Sequence, residues 1–300
     1  MRPRCNAPLL WRGLALTLAL LTAGLLGPAT AAANPASLPA PPPLMVEEVP
    51  FITTPDHVTL AMLTLAGVGS SDHLIDLGSG DGRIVITAAL RFGASGLGVE
   101  IDPALVTRSR DNALKAGVAQ RVEFRTQDLF DTALSAASVI TMYLLPQVNM
   151  ALRPRLLALA PGTRIVSHDW DLGDWRPDRT LTVAVPNKAV GLEKLSRLHL
   201  WTVPARLHGL WCGDGGVVLR LVQQHQQLGA TLDSGADSHT FSGRVDGHSL
   251  RLLGSGGAVW SARTEADGLR IVEVSAGLPL QAGQRLRPAL GEACAGAVKT

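Results

Sequence analysis

The glycine-rich segment at residues 74–89, "LIDLGSGDGRIVITAA", constrains the fold of this chain more than any other feature. An apolar run typical of a buried strand leads into it, and a helix-forming stretch follows. Between the two lies a D-x-G-x-G-x-G pattern, formed by Asp76, Gly78, Gly80 and Gly82. Glycines allow a tight turn and let a ligand approach the backbone. A helix that begins near Asp81 directs its free N–H groups toward an anion, so the segment predicts a strand–loop–helix ligand site.

The spacing of these glycines indicates which ligand the loop binds. Dinucleotide sites use G-x-G-x-x-G, in which the third glycine comes one residue later and the loop holds a pyrophosphate. Here the third glycine comes early, which favours S-adenosylmethionine, whose anionic group is a single carboxylate. A nicotinamide-dependent dehydrogenase is therefore the disfavoured alternative. A structural turn without any ligand is the other alternative for a glycine loop taken alone.

Acidic residues after the next two predicted strands support a cofactor site. Glu100 ends the strand "GLGVE", where a carboxylate accepts hydrogen bonds from the two hydroxyls of a ribose. Asp128 follows the strand "VEFRT" and is placed to accept from an adenine amino group, with Leu129 against the ring. With Asp76, these carboxylates fall on one rim of the sheet, where open α/β sheets bind ligands. A solvated surface glutamate is the alternative for Glu100.

Short apolar runs and helical segments alternate along this part of the chain. The predicted strands are 73–77, 95–100, 122–126, 138–143 and 163–167, and the predicted helices are 83–92, 103–116 and 147–159. A parallel sheet with right-handed crossovers follows from this alternation. An earlier helix is predicted at Thr54-Pro55-Asp56, with Pro55 as its first residue. After Asp178, "LTVAV" and "RLHLWTV" predict an edge hairpin.

From about Gly209 the sequence contains only strand and turn signals. The strand candidates are "GVVLRLV", "GATL", "FSGRV", "SLRLL", "AVWSA" and "LRIVEV". Glycine- or aspartate-bearing turns separate them, which predicts a small all-β meander, either a sandwich or a partial barrel, with a role in interaction or stabilisation. Cys212 and Cys294 fall in this part. They either pair as a disulfide, as in an exported protein, or remain separate buried thiols.

The N-terminus has the pattern of an export signal. Arg2, Arg4 and Arg12 precede an uncharged run at 13–26, and Ala29-Thr30-Ala31 supplies a cleavage motif. Residues 1–33 are therefore predicted to be a signal peptide, or alternatively a membrane anchor through which the protein associates with a membrane. A mitochondrial presequence fits less well because the run is uniformly apolar. Either prediction places the main domain outside the cytoplasm, periplasmic or anchored facing away from it.

Composition excludes several classes of function. The formal net charge is only +2 and no basic stretch forms a nucleic-acid footprint, so a nucleic-acid substrate is not expected. The three cysteines include no C-x-x-C pair and no zinc-ligand spacing, so we expect no metal site. Five prolines within 34–48 instead predict a stiff, extended linker between the N-terminal segment and the first domain.

The segment "VITMYLLPQVN" after the fourth predicted strand supplies the candidate catalytic residues. In methyltransferases this region lies nearest the transferred methyl group. Tyr143 either orients an amine acceptor by a hydrogen bond, or holds a cationic lysine or a sulfonium against its ring. The alternative is a core residue with a satisfied hydroxyl. Pro146 turns the chain sharply over the pocket. His168, after the fifth strand, is either a structural residue or a base.

Several motifs together resemble a known family. They are "VPFITTPDHV", "LIDLGSGDGRIVI", "GVEIDPALV", "DLF", "MYLLPQVNMALRPRL" and "PGTRIVSHDW". They are similar to the ATP synthase c-subunit lysine N-methyltransferases and their bacterial relatives, across roughly residues 49–204. The resemblance implies a seven-stranded, Rossmann-like class I methyltransferase fold, S-adenosylmethionine as cofactor and a protein lysine as acceptor. The cofactor residues that it implies are Asp76, Gly78, Gly80, Gly82, Glu100 and Asp128, with Thr54 and Pro55 in a segment that covers the cofactor.

The sequence therefore predicts an α/β methyltransferase domain at 49–205 and an all-β domain at 206–300. The predicted activity is S-adenosylmethionine-dependent methylation of a protein lysine. The alternative is a non-catalytic exported protein on a methyltransferase scaffold, because S-adenosylmethionine is made in the cytoplasm.

Overall fold

A computed structural model describes residues 52–189, 193–289, 291 and 293–294 of the chain. The predictions for the N-terminal signal or anchor and for the proline-rich linker at 34–48 lie outside these residues. Among the helices that are described, none combines the length and the apolar character needed to cross a bilayer.

A seven-stranded mixed sheet forms the first half of the described chain. Its strands are β1 (His73–Leu77), β2 (Ser95–Glu100), β3 (Val122–Thr126), β4 (Val139–Met142), β5 (Arg164–His168), β6 (Arg179–Ala184) and β7 (Leu195–Thr202). Their order is β3-β2-β1-β4-β5-β7-β6. Strands β1 to β5 are parallel, whereas β7 runs antiparallel between β5 and β6. The predicted α/β, seven-stranded class I methyltransferase fold is thereby confirmed, and the edge hairpin folds back so that its second strand joins the sheet.

Four helices accompany the sheet. They are α1 (Asp56–Leu65), α2 (Arg83–Phe92), α3 (Pro103–Lys115) and α4 (Pro146–Leu157). The predicted bounds of α2, α3 and α4 agree to within two residues. The prediction for Pro55 was wrong, since this residue is the N-cap of α1, with an extended ψ of 150°, and the helix begins at Asp56. A proline before the first helical residue still removes an N–H that the helix would leave without a partner.

Strand β1 is buried on both faces, which explains why its sequence lacks a period of two. Leu74 belongs to the apolar core formed with α1 and α2. Ile75 and Leu77 instead belong to a second core, which α4 covers with Leu152 and Leu156. Because side chains alternate along a strand, Asp76 lies on the same face as Leu74, at the end of β1 that leads into the glycine loop.

The second half of the described chain is a closed antiparallel barrel. Its strands are β8 (Gly209–Cys212), β9 (Val218–Gln224), β10 (Gln227–Ser234), β11 (Asp237–Asp246), β12 (Ser249–Gly254), β13 (Val259–Glu265), β14 (Gly268–Val274) and β15 (Arg285–Pro288). Each pairs with the next, and β15 pairs with β8. The prediction of a sandwich or partial barrel is corrected accordingly: two short strands that were not predicted, β8 and β15, close the sheet on itself and leave it without an open edge.

Cys212 and Cys294 form a disulfide in this barrel. The two alternatives for these cysteines were a disulfide and two separate thiols, and the structure shows the disulfide. The bond joins β8 to the segment that follows β15, so it ties together the two chain ends at which the barrel closes. Trp260, which has no solvent exposure, and Phe241 pack edge-to-face within the apolar core of the barrel.

A polar contact joins the barrel to the sheet within one compact unit. Asp178, just before β6, accepts hydrogen bonds from Gln226 over 3.1 Å and from the guanidinium of Arg244. The Gln226 amide also donates to the carbonyl of Arg176 over 2.6 Å. Gln226 is buried, so these partners satisfy a group that would otherwise destabilise the fold.

Candidate active site

The glycine loop after β1 has the backbone conformation that the motif predicts. Gly78, Gly80 and Gly82 have φ angles of 75°, 54° and 81°, a region that other residues rarely adopt. A Cβ on Gly82 would also lie 2.7 Å from the ring of Phe124. Gly82 is the N-cap of α2 and the helix begins at Arg83, the first residue of the predicted helix 83–92. The loop therefore leaves the N-terminus of α2 open for an anionic group.

Asp76 lies at the base of this loop, almost without solvent exposure. Its Oδ1 accepts a hydrogen bond of 2.7 Å from the hydroxyl of Thr141 on β4. Burial raises the pKa of Asp76 to about 7, with smaller contributions from the charges of Glu100 and Asp81, although the hydrogen bond from Thr141 lowers it. A positive group bound near Asp76 would offset the cost of keeping this carboxylate ionised.

Glu100 connects the end of β2 to the glycine loop. Its Oε2 accepts a hydrogen bond of 3.0 Å from the N–H of Gly80, and its Oε1 accepts from Ile101 and Asp102 over 2.8 and 3.2 Å. These backbone donors fix the orientation of the carboxylate. An ionised carboxylate has about four acceptor positions, so capacity remains for a ribose hydroxyl.

Asp128 lies beyond the end of β3, the strand next to β2. Its Oδ1 accepts a hydrogen bond of 2.8 Å from the N–H of Phe130 and so caps a short 3₁₀ turn at Leu129–Asp131. Within the described residues, Oδ2 makes no hydrogen bond. Leu129, at the start of this turn, is half-buried against the core on the α4 side. The structure thus brings Asp76, Glu100 and Asp128 to one edge of the sheet, here called the carboxylate rim.

Asp81 has a different position from the carboxylate rim. Its carboxylate is engaged by Arg83, whose Nε and Nη2 donate over 2.9 and 2.7 Å. Burial by itself raises the pKa of Asp81, but the hydrogen bonds and charge of Arg83 outweigh it and hold that pKa below its usual value. Arg83 Nη1 donates to the carbonyl of Thr54 over 2.9 Å. Asp81 therefore anchors the segment of Thr54 and Pro55 to the glycine loop.

A second group of side chains lies at the ends of β4 and β5. The ring of Tyr143 stacks on that of His168, with centroids 3.9 Å apart, and its hydroxyl donates to Asp169 Oδ2 over 3.3 Å. His168 is buried, with Nδ1 3.3 Å from the Thr54 hydroxyl and Nε2 2.8 Å from that of Ser196. This places the segment before α1 beside the candidate catalytic tyrosine.

Burial determines the protonation of both rings. It raises the pKa of Tyr143 to about 12, with Asp169 adding to the effect, so the hydroxyl stays a hydrogen-bond donor at neutral pH. It also lowers the pKa of His168 to about 4, against the opposing charge of Asp169. His168 is therefore uncharged at neutral pH, and each of its ring nitrogens lies within hydrogen-bond distance of a hydroxyl, those of Thr54 and Ser196.

Pro146 begins α4, with Leu145 as the N-cap. It turns the chain from β4 into the helix, as expected of a proline at the first helical position, and it brings no polar side-chain group to the site. Pro146 therefore contributes through the path of the backbone, and the candidate catalytic Tyr143 lies just before it.

Comparisons with known proteins agree with this geometry. A model of the ANTKMT methyltransferase domain matches residues 76–179, from the glycine motif to the start of β6. A protein-lysine N-methyltransferase of Saccharolobus islandicus is 41% identical over 140 residues, which are 46% of this chain and 87% of that protein. The chain belongs to the protein-lysine N-methyltransferase family.

Other relatives of this lysine methyltransferase match over less of their length. The mouse lysine N-methyltransferase of the ATP synthase c-subunit is 38% identical over 36% of this chain and 43% of its own. Against the mouse adenine nucleotide translocase lysine N-methyltransferase the identity is 33%, over 43% of this chain and 57% of that protein. The chain thus spans about half the length of these two relatives.

A solved structure described as an RNA methyltransferase of Salinibacter ruber, in complex with S-adenosyl-L-homocysteine, is 52% identical. The match covers 52% of this chain and 96% of the chain in that structure, with a TM-score of 0.47.

The site of this methyltransferase fits S-adenosylmethionine. A Cβ on Gly78 would lie only 3.0 Å from a methyl carbon of Leu144, so glycine lets the loop approach the segment after β4 closely. The buried carboxylate of Asp76 suits a cationic amino group, the N-terminus of α2 suits a carboxylate, and Glu100 and Asp128 suit a ribose and an adenine. The cofactor residues named from the motif thus match the separate parts of this molecule.

Some functional residues of the methyltransferase were not predicted from the sequence. Thr141, Lys188 and Arg83 each make a side-chain contact that orients a site residue. Asn149 is fully buried on α4, and its amide donates to Ser167 and to carbonyls of the loop after β5. The sequence signal that could have indicated this residue is a polar side chain within an apolar stretch, as Asn149 is in "LPQVNM".

Proposed function

We propose that this protein transfers a methyl group from S-adenosylmethionine to the side-chain nitrogen of a lysine in a protein substrate. The observation that carries the proposal is the carboxylate rim beside the open N-terminus of α2, in a chain of the lysine methyltransferase family. Tyr143 and Asp169 provide an adjacent polar place for an amine. Both contact His168, which is linked to the same loop through Thr54 and Arg83.

In the proposed complex each residue has a separate task. Gly78, Gly80 and the start of α2 receive the carboxylate of the cofactor, and Asp76 receives its amino group. Glu100 and Asp128 hold the ribose and the adenine. S-adenosylmethionine, when bound, supplies a methyl group on a positively charged sulfur. The protein contributes mostly by positioning the two reactants and by excluding water.

The acceptor lysine must lose a proton before it reacts, because an ammonium group has no lone pair. The new bond joins the lysine nitrogen to the methyl carbon as the bond from that carbon to sulfur breaks. Tyr143 keeps its proton and His168 is neutral, so neither adds a charge that competes for the acceptor. Loss of hydration in this half-buried site favours the neutral lysine against the opposing charge of Asp169, and the proton passes to solvent before the methyl group is transferred.

Calorimetry and mass spectrometry test this proposal. Purified protein should bind S-adenosylmethionine and, with envelope proteins from a strain lacking this gene, should add methyl groups to lysines. Binding of NAD without S-adenosylmethionine, or transfer of labelled methyl groups to RNA but not to protein, would overturn it. None of the described residues or relatives favours the non-catalytic alternative, and failure to bind the cofactor would support it.

We also propose that the protein acts outside the cytoplasm, either released after cleavage or attached to the membrane through its N-terminal segment. The predicted signal at 1–33 and the disulfide between Cys212 and Cys294 support this, since disulfides persist in oxidising compartments. A fusion of residues 1–48 to alkaline phosphatase, which is active only after export, tests the location. An inactive fusion would contradict it, and fractionation distinguishes a released from an anchored protein.

A further inference from the structure

Lys188 holds an unusual position for a lysine on a connection between two strands. Its Nζ lies 2.7 Å from Asp169 Oδ2 and donates to the carbonyl of Leu195 over 2.6 Å. The side chains of Lys188 and Asp169 are only 14% and 15% exposed. Lysine is rarely buried, because the ammonium group loses its hydration. A carboxylate that binds an ammonium group despite this loss of hydration is well suited to bind an alkylammonium ion.

The backbone of Asp169 is held in a rare conformation that aims this carboxylate. Its φ is 65°, and within the described residues only one other non-glycine residue, His225, has a positive φ. The backbone N–H of Asp169 donates to the carbonyl of Arg197 over 2.6 Å, and its Oδ1 accepts from the N–H of Arg197 over 3.0 Å. These two bonds to β7 fix the carboxylate, and its Oδ2 lies 2.7 Å from Nζ of Lys188. Strain of this kind concentrates at functional sites.

The groups around Oδ2 belong to the methyltransferase site. The hydroxyl of Tyr143 lies 3.3 Å away and Nε2 of His168 lies 3.6 Å away. His168 contacts Thr54, whose carbonyl is bound by Arg83 at the start of α2. A cation bound to Asp169 is therefore connected to the loop that receives the cofactor through three residues, His168, Thr54 and Arg83.

We propose that Asp169 binds the ammonium group of the substrate lysine and that Lys188 occupies this place in the free protein until the substrate displaces it. This inference rests on the proposed function, and it adds a residue that touches the substrate and a resident competitor for it. Asp169 holds the ammonium group on arrival, and once the proton has passed to solvent the neutral nitrogen accepts a hydrogen bond from the hydroxyl of Tyr143. An exchange of one alkylammonium for another conserves both the ion pair and the buried charge, so neither has to be created when substrate binds.

The exchange makes a quantitative prediction for ligand affinity. If Lys188 occupies Asp169 in about nine molecules of ten, the apparent affinity for an added amine is reduced about tenfold. Removing the ammonium group of Lys188 should restore the full affinity for the amine. The suitable variant is Lys188→Met, which keeps an unbranched side chain. Lys194→Met is the matched control, because Lys194 lies on the same connection and donates to the carbonyl of Lys188 over 2.9 Å.

The probe is n-butylammonium chloride, which reproduces the end of a lysine side chain, with n-butanol as the uncharged control. Full-length protein saturated with S-adenosyl-L-homocysteine is titrated, and the amide resonances of Asp169 and Arg197 are followed by NMR. We expect Lys188→Met to bind butylammonium about tenfold more tightly than the natural protein, and Lys194→Met to match the natural protein. Asp169→Asn keeps an acceptor oxygen for Arg197 and tolerates a positive φ, and it should abolish the butylammonium shifts.

The outcomes separate this inference from the proposed function. Equal affinity in Lys188→Met and the natural protein, or binding that survives Asp169→Asn, overturns the inference. An affinity gain shared by Lys194→Met also overturns it, because loosening of the connection would then be the cause. S-adenosyl-L-homocysteine binding is measured first in each sample. Its absence in the natural protein would instead contradict the proposed function.

Discussion

Glu100 Oε2 accepts a hydrogen bond of 3.0 Å from the backbone N–H of Gly80. This bond joins the end of β2 to the middle of the glycine loop, which starts from the neighbouring strand β1. A change in one half of the cofactor site is therefore transmitted to the other. The ribose end and the carboxylate end of the proposed ligand are held by one connected unit.

Replacing Glu100 by Gln should weaken cofactor binding about tenfold to a hundredfold. An amide has one acceptor oxygen where the carboxylate has two, and hydrogen bonds to a charged group contribute about 1.5–3 kcal/mol each. Isothermal titration calorimetry with S-adenosylmethionine measures the effect. Glu123→Gln, an exposed change on β3, is the control and should bind normally. Equal affinities in the two variants would remove Glu100 from the site.

Replacing Asp76 by Asn should make the ligand-free protein more stable at pH 8 but not at pH 4. Burial raises the pKa of Asp76 from its ordinary value of 3.8 to about 7 in the folded protein, so the folded state binds more protons between these values. Stability is therefore lost as pH rises through this window, by at most about 4 kcal/mol. Asparagine does not ionise, and its oxygen still accepts from Thr141.

Chemical denaturation of the Asp76 variant and the natural protein at several pH values measures this difference. The exposed Asp111→Asn on α3 is the control and should show no pH-dependent difference from the natural protein. A constant offset between Asp76→Asn and the natural protein at every pH would show that the folded pKa of Asp76 is not raised. The same variant should bind S-adenosylmethionine weakly, since the proposed partner of its amino group is lost.

Replacing Tyr143 by Phe should reduce kcat about tenfold while leaving cofactor affinity unchanged. The ring still stacks on His168, but the hydroxyl that donates to Asp169 is gone, so the acceptor nitrogen is held less well. Steady-state kinetics on the methylated protein substrate measures kcat, and calorimetry measures cofactor binding. An unchanged kcat would remove the hydroxyl from the mechanism and leave Tyr143 as a packing residue.

Removing the disulfide should lower the free energy of unfolding of the barrel by about 2–5 kcal/mol. The bond spans 82 residues of sequence, so its loss frees a long segment of the unfolded chain. Thermal denaturation of a Cys212→Ala, Cys294→Ala double variant measures the loss. Dithiothreitol should destabilise the natural protein and leave this variant unaffected. Affinity for S-adenosylmethionine should stay the same, and a large drop would show that the barrel supports the cofactor site.

Much of the sheet could be predicted from the sequence. The bounds of β1, β2 and β3 agree with the prediction because each is a short apolar run or, in β3, an alternation of apolar and charged residues, next to turn residues. The closing strands β8 and β15 could not be predicted in the same way. Each has only four residues, and β15 ends in a proline. Their pairing joins residues that are far apart in sequence, and no local pattern records it.

The cofactor part of the site could be predicted from the sequence, whereas the part around Asp169 could not. Asp76 and Glu100 were found because strand ends and a glycine turn place them within one short stretch of chain. The ion pair of Asp169 and Lys188 was not predicted, since the two residues lie on different connections. They meet because β7 pairs antiparallel with β5, which brings Arg197 against Asp169.

The sequence by itself determined the glycine loop, the alternation of strands and helices and the carboxylate rim. These depend on local backbone preferences and on the period of apolar residues, both of which are written in neighbouring positions. Only the tertiary structure decided that the meander closes into a barrel, that the two cysteines pair and that a lysine lies on Asp169. Each of these requires distant segments to meet, and the packing of the whole chain determines which segments do.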